Sequence, residues 1–161
     1  MVQPVTIHHL DGQPILSIRR LLPRTELPAF IRTSLMELAA RSRLIGAAMT
    51  GPPMVLYHAS GPSEVDAEVC VPVVEGVAAS GAISARVLPA RTVARLVHVG
   101  PYDGLPSAHA AVASWIAEHD LARVGPNCER YLTDPGAVAS PLSYRTEVEI
   151  PIAAAPVAIP A

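Results

Sequence analysis

The sequence predicts an α+β fold made by internal duplication: an antiparallel sheet, two helices and a central groove between the two copies. Three observations carry this. First, Gly51-Pro52-Pro53-Met54-Val55-Leu56-Tyr57 returns as Gly125-Pro126-Asn127-Cys128-Glu129-Arg130-Tyr131, and Ala67-Glu68-Val69-Cys70-Val71-Pro72-Val73 returns as Thr146-Glu147-Val148-Glu149-Ile150-Pro151-Ile152. The offsets are 74 and 79 residues, so the later copy has five extra loop residues. Second, short apolar runs with turn residues between them alternate with two helical patterns in the same order in each half. Third, both helical patterns open on Leu-Pro, at Leu27-Pro28 and Leu105-Pro106. A duplicated unit in one chain tends to form a pseudo-twofold, and a groove along that axis suits a ligand.

Each half reads as two strands, a helix and two more strands. Val5 to Leu10 and Ile15 to Leu21 flank Asp11-Gly12, a strong signal for a short hairpin. Ile83 to Leu88 and Thr92 to Val99 flank Pro89-Ala90 in the second half. Proline suits the first helical position because its missing donor has no intrahelical partner there. The first helix carries Ile31, Leu35 and Leu38 at helical spacing; the second carries Ala108, Ala111, Val112, Trp115 and Ile116 on one stripe. Gly51-Pro52 and Gly125-Pro126 reset the chain into the second hairpin of each half. The expected layout is one domain over 1–161, with repeat 1 at about 1–74, repeat 2 at about 82–152, and a small-residue connector from Glu75 to Gly81. An Ala/Pro-rich segment at 153–161 reads as a flexible tail.

Composition narrows the function classes. Half the chain is apolar, yet it has only one Phe, one Trp and four Tyr, so the core must be Val, Leu, Ile and Ala. A net charge of −2, with all twelve basic residues arginine, does not fit a nucleic-acid footprint. Cys70 and Cys128 are too far apart for a zinc or redox pair and read as buried thiols. The N-terminus lacks a signal-peptide pattern, and no apolar run approaches membrane-spanning length. A soluble, cytoplasmic chain is expected, with no membrane or nucleic-acid partner. The six histidines show no metal-ligand spacing, and no phosphate-binding glycine loop or nucleophile elbow is present, so no metal or cofactor is expected.

The last strand carries the first candidate site residues. Thr146, Val148, Ile150 and Ile152 share one face, and Arg145, Glu147 and Glu149 the other. The apolar face should pack on the helices, sending Glu147 and Glu149 toward the groove or toward water. Glu68 stands in the place of Glu147 in the first copy. Charged residues on one face of an antiparallel strand ordinarily mean solvent. Glu129 is expected to pair with a nearby arginine such as Arg130 or Arg145.

Four stretches in order, His98-Val99-Gly100-Pro101-Tyr102-Asp103, Trp115-Ile116, Glu129 to Pro135 and Thr146 to Ile152, resemble the GyrI-like small-molecule-binding family. Its members are effector-binding domains of multidrug-sensing transcription regulators and their stand-alone relatives. The resemblance implies paired strand–helix–strand–strand modules around a groove, with a glutamate of the last strand at the groove floor, which matches Glu147. In the drug sensors that glutamate attracts lipophilic cations. Tyr131 matches the family's Glu-x-Tyr strand, Tyr57 is its partner in the repeat, and Tyr102 opens the loop before the second helix. Glu147, Tyr131, Tyr57, Tyr102, Glu68 and Trp115 are therefore the ligand-binding candidates, with core packing the better reading of Trp115.

The resemblance implies a stand-alone receptor for hydrophobic compounds, cationic ones among them. No helix-turn-helix precedes the first repeat, so a DNA-binding output would come from a separate chain. Monomer and weak dimer both remain open. An alternative is a hydrolase of electrophilic, cyclopropane-type molecules, with Glu147 and Tyr131 catalytic; the scarcity of aromatics weighs against enzyme action on large flat substrates. A third reading, a protein-interaction module resembling gyrase inhibitors, ranks last because the fourteen acidic residues are scattered.

Overall fold

The computed structural model describes residues 3–75 and 77–154. In chain order the elements are β1 (Thr6–Leu10), β2 (Gln13–Pro23), α1 (Leu27–Leu44), β3 (Met54–Ser60), β4 (Glu64–Pro72), β5 (Ser84–Leu88), β6 (Arg91–Val99), α2 (Leu105–Glu118), β7 (Leu121–Arg123), β8 (Asn127–Tyr131) and β9 (Arg145–Ala154). Both helices begin at the expected Leu-Pro, each behind a single 3-10 turn, Arg24–Glu26 and Tyr102–Gly104.

The strands form one curled antiparallel sheet in the order β1-β6-β9-β8-β3-β4-β2-β5, with β7 paired to β9. The two repeats meet where β3 pairs β8, from Met54↔Arg130 to Tyr57↔Asn127. Residues 74 apart correspond between the copies. Val55 and Glu129 are equivalent in sequence and also directly paired, so the pseudo-twofold passes through that pair.

The two expected hairpins do not form. β1 pairs with β6, Thr6↔Arg95 through Leu10↔Arg91, while β2 pairs with β4 and β5. Each copy's first strand thus edges the other copy's sheet. A Cβ built on Gly12 would lie 3.5 Å from the Leu88 carbonyl oxygen and 3.6 Å from a Val87 methyl. The Asp11-Gly12 and Pro89-Ala90 turns therefore lie against one another where the chain crosses between halves. Asp-Gly reverses the chain, but it does not choose the partner strand, which side-chain packing across the sheet does; Val5, just before β1, is partly buried against the α2 core. Two residues expected in the tail are strand instead. Ala153 and Ala154 continue β9 and pair with β7. Residues 155–161 lie outside the described residues.

Both helices pack on one sheet face. Phe30 and Leu38 of α1 meet Leu16, Ile18, Val55, Val69 and Val71. Leu105, Ala108, Val112 and Ile116 of α2 meet Val148, Ile150 and Ile152 of β9, as the alternation predicts. The sheet's other face curls over its own smaller core of Ile15, Met54, Leu56, Cys70, Leu88 and Cys128. Burial pushes the Cys128 thiol up to about 12.

Candidate functional site

Register decides which side chains enter the space between the helices. Directly paired residues of antiparallel strands project to the same face. Glu129 pairs with Val55 on one side and Val148 on the other, and both valines are fully buried on the helix-bearing face. Glu129 therefore points between α1 and α2, only 6% exposed, and Tyr131 follows it on the same face.

The carboxylate is held by three donors. Tyr57 donates to Oε2 at 3.0 Å, Tyr131 donates to the same oxygen at 2.6 Å, and His109 Nε2 lies 2.9 Å from Oε1. Asn127 sets the histidine's tautomer. Its Oδ1 accepts from Arg123 Nη2 at 2.7 Å, so its amide nitrogen faces His109 Nδ1, at 3.0 Å. Nδ1 then accepts and Nε2 carries the proton that reaches Glu129. Burial, followed by the neighbouring charge of Glu129, pushes the Tyr57 hydroxyl far above its usual range. Tyr131 moves the same way through burial, Tyr57 and Glu129. Both phenols therefore remain donors. Two carboxylate oxygens offer about four acceptor positions, and the described residues fill three of them, two on Oε2 and one on Oε1.

Around Glu129 lies a cavity of about 1460 Å³, ample for a drug-sized ligand. Leu27, Ile31 and Leu35 of α1 form one wall, Leu105 and His109 of α2 the other, and β3 and β8 the floor. Pro52-Pro53 and Pro126 lie at its edges. Tyr102 stands at the rim, 5.7 Å centroid to centroid from Tyr131 and 5.0 Å from Tyr144. The two copies contribute unequally. Ile31 precedes His109 by 78 residues, the Leu-Pro offset, and Val55 stands where repeat 2 has Glu129. At these two positions the first copy is apolar and the second polar.

The ligand-binding candidates separate into two groups. Tyr57, Tyr102 and Tyr131 line the cavity. Glu147, Glu68 and Trp115 do not. Glu147 pairs with Arg130 and Val97, on the sheet face away from the helices. There its Oε2 is 3.6 Å from the Nε atoms of both Arg95 and Arg130. Burial pushes the Glu147 carboxyl up, Arg95 opposes the shift, and Glu149 adds to it. Glu149 is fully buried, accepting from Arg95 at 2.8 and 3.1 Å. Glu68, on that same face, accepts from Ser17 at 2.6 Å and from Arg86 at 2.5 and 3.1 Å, with His58 at 2.8 Å. Burial pushes Glu68 up, but these donors outweigh it and hold the carboxyl at about 2. Trp115 is partly buried against the α2 core and stacks on His119 at 3.9 Å.

Glu129 meets neither expected arginine partner: Arg130, its neighbour in sequence, turns to the opposite face. His109 and Asn127 went unrecognised in the sequence. Their signal is the repeat comparison, in which a histidine replaces an isoleucine on a cavity-facing helix position. Among the described residues no group of three His, Cys, Asp or Glu side chains could hold a metal ion. No helix of the described residues is long and apolar enough to cross a membrane.

Known structures share this architecture. The EcmrR C-terminal domain superposes with a TM-score of 0.81 at 22% identity, covering 96% of this chain and 99% of that one. EcmrR in its DNA complex gives 0.85 at 21% identity, and there this chain spans 59% of the longer protein while matching over 96% of its own length. A hydrolase encoded by lin2189 from Listeria innocua gives 0.70 at 12% identity, covering 94% of this chain and 93% of that one. SAV2435 bound to tetraphenylphosphonium gives 0.68 at 12% identity, covering 93% and 94%. No curated protein matches the sequence. The model of the GyrI-like small molecule binding domain family matches residues 3–153, and the chain belongs to that family.

Proposed function

We propose that this chain is a receptor for hydrophobic cations, taken into the groove between the repeats with Glu129 as the anionic contact. One observation carries the reading: the partners of the Glu129 carboxylate are the neutral donors Tyr57, Tyr131 and His109. They fix and partly resolvate the carboxylate but leave its charge uncancelled. A buried anion of this kind gains most from a cation too large and apolar to be well hydrated. The tyrosine faces add cation–π attraction of roughly 0.5–2 kcal/mol each. Glu147 and Glu68, by contrast, already have arginine partners. SAV2435, which shares the fold, is bound to a cation of this type, tetraphenylphosphonium.

Titration calorimetry with tetraphenylphosphonium and with neutral triphenylphosphine oxide tests the reading. The wild type should prefer the cation. Glu129→Gln should lose that preference, with affinity for the cation falling at least about tenfold, the effect of roughly 1.4 kcal/mol. Glu147→Gln should keep it. Equal binding of both compounds by all three proteins would sink the proposal.

A second reading has its own support. Glu129 Oε1 could accept a proton from an attacking water, and the Tyr131 hydroxyl, on turning from Oε2 (2.6 Å) to the substrate, could donate its one proton to developing negative charge. A hydrolase would then use Glu129 and Tyr131 instead of Glu147 and Tyr131. Mass spectrometry of an electrophilic probe recovered from the protein distinguishes the two: unchanged probe supports the receptor, and a product heavier by one water supports the enzyme.

A further inference from the structure

We infer that the preferred ligand is amphoteric: a hydrophobic body whose cationic centre sits over Glu129 and which carries a carboxylate or similar anionic group at the arginine-lined end of the groove. This deepens the proposed function and rests on the groove being the ligand site.

The charges around the cavity are not those of a simple cation trap. Besides Glu129 and Asp134, the lining includes Arg24, Arg32 and Arg123. Among the described residues no carboxylate lies within 4.0 Å of any of these three guanidiniums, although the other ion pairs of the chain are formed at such distances. Two are held in place by neutral acceptors. Arg24 donates to the Gly61 carbonyl at 2.7 and 3.2 Å and to Ser60 Oγ at 2.6 Å. Arg123 donates to Asn127 Oδ1. These bonds orient the arginines without cancelling their charge.

Topology gathers them at one end. Ser60 closes β3, and Asn127 pairs with Tyr57 of the same strand, three residues before Ser60. Arg24 and Arg123 are thus anchored about 10 Å apart at most along β3. Arg32 joins the lining from the first half of α1, the helix that Arg24 leads into. The opposite end, past Tyr131, carries Thr133, Asp134 and Tyr102. The pseudo-twofold relates the two ends: Tyr102 stands 78 residues after Arg24, and Asp134 stands 74 after Ser60. Duplication produced two equivalent ends; one has become basic and the other acidic and aromatic, with Glu129 between them on the axis. A monocation satisfies Glu129 but leaves the arginine end unpaired and is repelled by it. A ligand with an anionic group there complements both.

The test uses a matched pair, zwitterionic rhodamine B and its ethyl ester, a cation of nearly the same shape without the carboxylate. Fluorescence anisotropy at low ionic strength should show the zwitterion binding roughly 3- to 10-fold more tightly, the scale of one or two rim-exposed ion pairs. That advantage should shrink as salt is added. It should fall toward unity in Arg24→Gln with Arg32→Gln, and return in Arg24→Lys with Arg32→Lys, which keep the charge. Both dyes bound with equal affinity, or the ester bound more tightly, would overturn the amphoteric ligand while leaving the groove as the site. Neither dye bound would overturn both, because the cavity has room for either.

Discussion

A buried carboxylate is tolerated when its lone pairs find donors, and three glutamates of this chain are satisfied in different ways. Glu149 and Glu68 meet arginines and are neutralised in place; Glu129 meets phenols and an imidazole and keeps its charge. Partner type therefore separates the two carboxylates paired with arginines from the one we propose as the ligand's contact. Glu68 also carries a pH prediction. Its folded carboxyl is held at about 2, below the 4.5 of an unperturbed glutamate. The native state then binds fewer protons than the unfolded one between these values. The resulting stability, of order 2–3 kcal/mol, is fully present above about pH 4.5 and lost as pH falls toward 2. Urea unfolding from pH 7 to 3 should show this loss, and Glu68→Gln should be less stable at pH 7 with a shallower acid limb. Parallel curves for the two proteins would refute the assignment. Glu147 illustrates how far one strand can be read. Alternation correctly removed it from the apolar face, but whether that other face met a ligand cavity depended on where the helices lay.

At the scale of elements, the recurring motifs have a packing reason. A Cβ on Gly125 would stand 3.0 and 3.1 Å from the ring of Pro151, and one on Gly51 would stand 3.4 Å from the ring of Pro72. In each copy the glycine of Gly-Pro makes room for the proline of the Glu-Val-x-aliphatic-Pro strand. Gly125→Ala should therefore cost about 1–3 kcal/mol through overpacking, and Gly51→Ala clearly less. Thermal unfolding of the two variants checks the order, and equal losses would contradict it. The helices were legible because Leu-Pro marks a start and apolar spacing of 3.6 marks a face. The hairpins were misread because turn chemistry specifies a reversal within a few residues, whereas strand partnership is set by side chains far away in sequence.

For the molecule as a whole, exchange of β1 and β5 between the copies makes the two halves interdependent. Without β6, β1 has no pairing partner, and β2 loses β5 from its outer edge. A fragment of residues 3–75 should consequently stay largely unfolded by circular dichroism. Mixing it with a fragment of residues 77–154 should restore strand signal. Cooperative folding of the first fragment alone would show that the exchanged strands are dispensable. The same duplication gives the groove its character, since divergence of equivalent positions such as Val55 and Glu129, or Ile31 and His109, converts a symmetric cleft into a polarised one.

The sequence by itself determined the duplication, the α+β class, both helices, the apolar face of β9 and the family. All of these rest on local periodicity or on order along the chain. It also placed Tyr57, Tyr102 and Tyr131 among the candidate ligand contacts, through the repeat and the family resemblance. Only the tertiary structure decided that Glu129, not Glu147, faces the cavity, and that His109, Asn127 and the rim arginines accompany it. The physical reason is that a strand residue has only two directions to point. Which of them is occupied by helices, by the cavity or by arginines from neighbouring strands is fixed, for Glu129 and Glu147, by partners 17 to 74 residues away.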